Sequence, residues 1–182
     1  MVHIHALQTI YQKLYPLKAF GRTLAEYMND LGLLGPNLVI GHCVYPTASD
    51  ISLLAQTGTG VTHHPSCNLR VRNGIAPAWH MLGAGVRVGI GIDSKGINDD
   101  EDFIQEMKMC YLLQRIASQE LDSPYLSARD VLRMSTETGA DLIGWKGQLG
   151  RLEKGRFADM VLLDYAEMCR PFVDPSHDPI DT

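Results

Sequence analysis

Apolar residues fall into short runs that alternate with longer stretches of helical spacing. Val2-His-Ile-His5-Ala6 reads as a strand in which Ile4 alternates with two histidines. Tyr11 to Leu31 follows at helical spacing, interrupted near Pro16 and stopped by Gly32, with Leu24, Tyr27, Met28 and Leu31 on one apolar face. Leu38-Val-Ile-Gly-His42 is a second strand, and Thr47 to Gln56 a helix capped by Thr47 or Ser49 and stopped by Gly58. Gly60-Val-Thr-His63 is a third strand, ended by Pro65. A helix over Ala78 to Gly83 leads to a fourth strand, Val86 to Asp93.

The pattern then becomes helical. The acidic run Asp99–Asp102 opens a helix that continues through Ile104, Met107, Cys110, Tyr111 and Gln114, negative charge suiting its amino end. Ser127-Ala-Arg-Asp130 has the form of a capping box, and Thr138 to Gly144 is a shorter helix closed by glycine. From Gly147 to Leu163 the chain reads as a turn-rich β segment, and the tail beyond Tyr165 is polar and proline-bearing. This change sets an expected boundary: a partial barrel over 1–146, and a β-rich segment with its tail over 147–182.

Four strands alternating with helices predict a parallel α/β arrangement. Their polar residues sit in one place along each strand. His5, His42, His63 and Asp93 each lie at or just past the end of a strand core. In a parallel sheet or barrel those ends converge on one rim, where α/β proteins carry their working residues. The ordinary reading of Asp93 alone is a cap or turn residue, and of each lone histidine a satisfied core residue. The joint pattern favours chemistry. His5 and Asp93 are the candidate metal ligands, and His42 a candidate acid, base or orienting group. His3-Ile-His5 places two imidazoles on one strand face and is a competing two-ligand grip.

Composition narrows the classes. Of 182 residues, 45% are hydrophobic and 20% charged, and the formal net charge is -5, an ordinary globular balance. Lys and Arg are scattered, which argues against a nucleic-acid or membrane-surface footprint. No apolar stretch approaches the roughly 20 residues of a membrane span. Cys43, Cys67, Cys110 and Cys169 form no CxxC pair, which points to free thiols in a reducing cytoplasm. Cys67 has no fixed basic partner and reads as an inert buried thiol; His64 and His80 have no pattern behind them. The chain opens almost directly into its first strand, the beginning expected of a piece of something larger.

Several ordered motifs resemble the amidohydrolase superfamily, in its cytosine/guanine deaminase and triazine chlorohydrolase branch. They are Val-Ile-Gly-His42-Cys, Val-Thr-His63-His-Pro-Ser-Cys-Asn68-Leu, Gly74-Ile-Ala-Pro77, and Gly-Ile-Gly-Ile-Asp93-Ser followed by Asn98-Asp-Asp. Met134-Ser-Thr-Glu-Thr-Gly-Ala and Leu149-Gly-Arg-Leu-Glu-Lys-Gly155-Arg-Phe-Ala158-Asp159-Met-Val resemble the closing segments of that family. The resemblance implies the later part (strands five to eight) of a TIM-like (β/α)8 barrel, with the β-rich segment returning to a small sandwich. It implies one Zn or Fe ion, with His5 as the fifth-strand ligand and Asp93 as the eighth-strand ligand and base. His42 then matches the sixth-strand histidine that steadies the attacked group. His63, Asn68 and Gln8 would line the pocket of a small-molecule substrate, and His3 becomes an incidental neighbour of His5.

Two departures follow from the same resemblance. The first four strands, with their His-x-His ligand pair, have no counterpart here, so the chain is expected to be a carboxyl-terminal piece with an open sheet edge, prone to homo-oligomerise. Gln8 stands where many relatives carry a proton-shuttling glutamate, and an amide cannot relay a proton. The expected activity is hydrolysis of C–N or C–Cl bonds in heterocyclic or amidine-like substrates. The alternative is a metal-free, non-catalytic half-barrel.

Overall fold

The computed structural model describes residues 1–98, 100–115, 125–171, 173–174 and 176–180. Its centre is a four-stranded parallel sheet in the order β1-β2-β3-β4, formed by Val2–Ala6, Leu38–His42, Gly60–His63 and Val88–Ile90. Every strand pairs with its neighbour in sequence and is reached through helices, as parallel pairing demands. Between β1 and β2 lie α1 (Ile10–Phe20) and α2 (Leu24–Asp30), between β2 and β3 lies α3 (Ala48–Thr57), and between β3 and β4 lie α4 (Pro65–Arg70) and α5 (Ala78–Gly83). After β4 come α6 (Lys95–Asn98), α7 (Phe103–Leu113), α8 (Ala128–Ser135), α9 (Glu137–Leu142) and α10 (Tyr165–Met168). No described helix is long and apolar enough to cross a membrane.

One sheet face makes the core. Ile40, Val61 and Val88 are fully buried there, with Leu54 of α3, Met81 of α5, Cys110 of α7 and Val131 and Met134 of α8. The other face carries His3 and His5, whose rings lie over Gly41, and Thr62, whose hydroxyl bonds His3 and His64. The alternation of strand side chains produces this division. Gly60 and Gly89 leave room for Leu142 of α9, which comes within 2.2 and 2.8 Å of where their Cβ atoms would be.

Helix ends follow the sequence closely. Capping boxes start α1 (Thr9 with Gln12), α2 (Thr23 with Glu26), α3 (Thr47 with Asp50) and α8 (Ser127 with Asp130), and Asp102 caps α7. The expected interruption near Pro16 falls later. Pro16 is inside α1, and the break comes at Gly21, whose left-handed φ of 66° closes one helix before Thr23 begins the next. Leu31 lies beyond the end of α2 and is exposed, so Ala25 and Met28 supply its buried side. Pro65 ends β3 as expected and also starts α4, where its missing N–H costs nothing. The strand expected over Val86 to Asp93 forms its ladder over Val88–Ile90. Asp99, part of the expected helix opening, lies outside the described residues.

The expected β segment over 147–163 is a correction. Its turns are present, with left-handed glycines at 147, 150 and 155 and a backbone bond from Phe157 N–H to Gln148 O at 3.0 Å. Its strands are not: no residue from 147 to 164 joins a ladder. Val161 and Leu162 are 83% and 91% exposed. An extended segment becomes a strand only when another backbone satisfies its N–H and C=O groups in register, and among the described residues none forms such a ladder with this one.

Candidate functional site

The carboxyl ends of the strands gather the polar residues. Neighbouring strands lie about 4.8 Å apart, so a flat sheet would hold the ends of β1 and β4 about 14 Å apart. Instead, one ligand atom each from His5, His42 and Asp93 lie within 4.8 Å of one another. The side chains, and the left-handed turn at Asp93 three residues beyond β4, bring these atoms to a common point.

Backbone conformation directs these side chains. Strict alternation would place His42 on the core side with Ile40. His42 and Cys43 instead have φ of 72° and 46°, and Asp93 has φ of 75°. Left-handed non-glycine residues are uncommon, and their clustering at strand ends is typical of working sites. The turn at His42 swings its ring onto the face of His5, whose centroid is 4.8 Å away in an edge-on contact, and to 4.7 Å from His64.

The electrostatics follow from burial. His42 is fully buried, and burial holds its pKa below the usual histidine value despite the Asn68 hydrogen bond and the Asp93 charge. Its Nδ1 lies 2.9 Å from Asn68 Oδ1. A carbonyl oxygen only accepts, so Nδ1 carries the proton and Nε2 presents a lone pair. That buried Nε2 has no hydrogen-bond partner and stands 3.6 Å from Asp93 Oδ2. Burial acts to raise the Asp93 pKa, but the Cys67 thiol, which donates to Oδ2 at 2.8 Å, and the nearby imidazoles hold it below the carboxylate range. Two electron-pair donors thus face each other across a gap, with His5 beside them. This imidazole–imidazole–carboxylate set suits a divalent cation.

The remaining predicted residues are placed as follows. His63 is fully buried with neither ring nitrogen bonded, and burial, with His64 and His42 nearby, takes its pKa down to about 3. Asn68 is buried with its carbonyl engaged by His42. Gln8 is half-buried just past β1, its backbone N–H donating to Gln12 Oε1 at 2.7 Å. His3 lies beside His5 over Gly41 and bonds Thr62, and is not one of the three residues whose ligand atoms converge.

From the sequence, His64 and Cys67 read as without a role, and Glu106 is not singled out. His64 shares its face with Thr62 by period-2 spacing, the one signal that could have found it. Cys67 reaches Asp93, and Glu106 reaches the N–H of Ser66 from α7; both contacts arise from packing between distant segments. A separate cavity of about 550 Å³ between α5 and α8, lined by Trp79, His80, Tyr125 and Arg133 among others, includes none of His5, His42 and Asp93.

The chain resembles known proteins. The family model described as the amidohydrolase family matches residues 1–181. A 5-methylthioadenosine/S-adenosylhomocysteine deaminase from Syntrophobacter fumaroxidans is 37% identical over 164 residues, covering 90% of this chain and 36% of that protein. A 5'-deoxyadenosine deaminase from Methanosarcina mazei is 34% identical, covering 97% of this chain and 39% of the relative. Among solved structures, an adenosine deaminase from Xanthomonas campestris with bound zinc superposes with a TM-score of 0.88 at 28% identity, covering 98% of this chain and 40% of that one. An atrazine chlorohydrolase from Arthrobacter aurescens complexed with zinc gives 0.79 at 29% identity, over 86% of this chain and 34% of that one. The chain thus spans about 40% of the length of such relatives. The match over nearly every residue means that this chain belongs to the amidohydrolase family.

Proposed function

We propose that the chain is the carboxyl-terminal barrel portion of a metal-dependent hydrolase that displaces ammonia, an amine or chloride from an electron-poor carbon of a heterocycle. The observation that carries this reading is the convergence of His5, His42 and Asp93 within 4.8 Å, with a buried imidazole lone pair facing a carboxylate. The relatives named as nucleoside deaminases and the zinc-bearing neighbours support it.

In this reading His5 and Asp93 hold the ion, Zn or Fe, and the Nε2 lone pair of His42 lies beside them. When bound, such an ion supplies Lewis-acid chemistry that brings the pKa of water to about 7. Asp93, held ionised by Cys67 and the imidazoles, accepts the proton of the attacking water. His42, kept neutral by burial, presents its Nε2 lone pair as an acceptor and orients the attacking water toward the attacked group. Gln8, His63 and Asn68 border the substrate region; Gln8 offers an amide that orients the ring and carries no proton onward. Residues from 147 onward follow the barrel portion 1–146 as a second segment, held to it through Gly150 and Arg151. The four described cysteines are all buried and free, which suits a reducing cytoplasm.

Metal content is the test. The purified chain is expected to hold about one Zn or Fe per molecule by elemental analysis, as a single structural or catalytic site does. His5→Ala and Asp93→Ala should each lose that ion and any release of ammonia from 5'-deoxyadenosine. A wild-type chain that takes up no metal after loading overturns the reading. The second reading is a metal-free half-barrel that only oligomerises. It predicts that negative result together with a mass above the monomer in sedimentation.

A further inference from the structure

Helix α4 begins two residues after β3, the strand lying between β2 and β4. From above that middle strand, consecutive residues of its first turn reach both ways. Asn68 Oδ1 bonds His42 Nδ1 at the end of β2 at 2.9 Å, and Cys67 Sγ donates to Asp93 Oδ2 beyond β4 at 2.8 Å. The turn is itself held: the backbone N–H of Ser66 donates to Glu106 Oε1 of α7 at 3.0 Å, and Glu106 is 1% exposed.

We propose that α4 is a positioning clamp, in which Asn68 fixes His42 as its Nδ1–H tautomer, Cys67 fixes the Asp93 carboxylate, and Glu106 anchors the turn that carries both.

The need for a clamp comes from the competing tautomer. Without Asn68, a neutral His42 would gain by carrying its proton on Nε2, which faces the Asp93 carboxylate at 3.6 Å. That proton would occupy the Nε2 lone pair and turn an N–H toward the cation that His5 and Asp93 hold in the reading above. The Asn68 carbonyl reverses the preference, because a buried Nδ1–H with an acceptor at 2.9 Å is worth more than a bond stretched to 3.6 Å. Partners of this kind fix the tautomer and orientation of metal-binding imidazoles in general. Cys67 does the parallel task for the carboxylate, since a thiol on one lobe of Oδ2 restricts rotation about the terminal bond of Asp93. Asn68, Cys67 and Glu106 act through His42 and Asp93, and are positioning residues.

The decisive measurement needs no metal. In the metal-free chain labelled with 15N-histidine, long-range 1H–15N correlation reports the tautomer of each ring. His42 should show a pyrrole-type Nδ1 and a pyridine-type Nε2. Asn68→Leu should shift that pattern toward Nε2–H. A wild-type His42 protonated on Nε2 overturns the proposal, and needs no variant to fold. An unchanged pattern in folded Asn68→Leu overturns it as well.

Only the cobalt arm rests on the metal reading given above. There, Asn68→Leu and Cys67→Ala should weaken Co(II) binding by about 10- to 100-fold, the usual effect of losing such a partner, while Cys67→Ser should retain it. Wild-type affinity in Cys67→Ala overturns the role of that thiol. A chain with Nδ1-protonated His42 that binds no cobalt overturns the metal reading and leaves the tautomer role of Asn68 supported.

Discussion

Gly41 pairs with His5 across the first two strands, and its missing side chain is what lets two imidazoles lie over the sheet. A Cβ there would come within 3.1 Å of His5 Cδ2 and 3.4 Å of His3 Nε2. Gly41→Ala should therefore move the His5 ring and weaken metal uptake, with little effect on the melting temperature because both rings border open space. Gly35→Ala meets nothing within 4 Å and should leave uptake unchanged. Comparing metal affinity and melting in the two variants checks the point; equal affinities would refute it. At this scale the sequence was informative about position and less so about contact. His5, His42 and Asp93 stood out because each ends an apolar run, a one-dimensional signal. The bonds that Asn68 and Cys67 make cross 26 positions each and leave no periodic trace, so a pocket-lining role was the natural expectation for Asn68.

Helices and strands were legible wherever local chemistry decides them. Ser127 announced a helix start through its box partner Asp130 and Thr47 as a cap, and both hold, whereas the box of Thr23 with Glu26 lay inside what read as one continuous helix. Boundaries set by tertiary pairing were less visible: β4 shortened to three residues, and the chain after 147 did not find a partner for its expected strands. That later segment is attached instead through its turns. Gly150 has φ of +88°, and a Cβ on it would fall 2.7 Å from Glu137 Cα, while Arg151 pairs with Glu137 at 2.7 Å. Gly150→Ala combines left-handed strain with a clash against rigid backbone, and should lower stability by about 1–3 kcal/mol in urea unfolding. A variant with the wild-type midpoint would show that the segment is not docked on α9.

Across the molecule, buried titratable groups should set a window of pH stability. His63 has an unfolded value of 6.5 and a folded value of about 3, so below pH 6.5 the unfolded chain takes up a proton that the folded chain refuses. Stability is thus fully present above 6.5 and falls as the pH drops toward 3. Cys110 works in the opposite direction. Burial and the Glu106 charge raise its thiol from 9.0 to about 12, so stability present below pH 9 declines as the pH rises toward 12. Urea midpoints of the metal-free chain should trace a plateau between these limits; Cys110→Ala should flatten the alkaline limb, and an unaltered limb would refute the assignment.

The same order of strands has a consequence for opening motions. β1 and β4 are the outermost members of the sheet, one contributing His5 and the other followed closely by Asp93. Fraying begins at such margins, and a three-residue strand gives little resistance. A cation shared by His5 and Asp93 would span both margins at once, so that neither could peel away without releasing it. Binding would then brace the whole sheet from its two outer strands inward, by mass action.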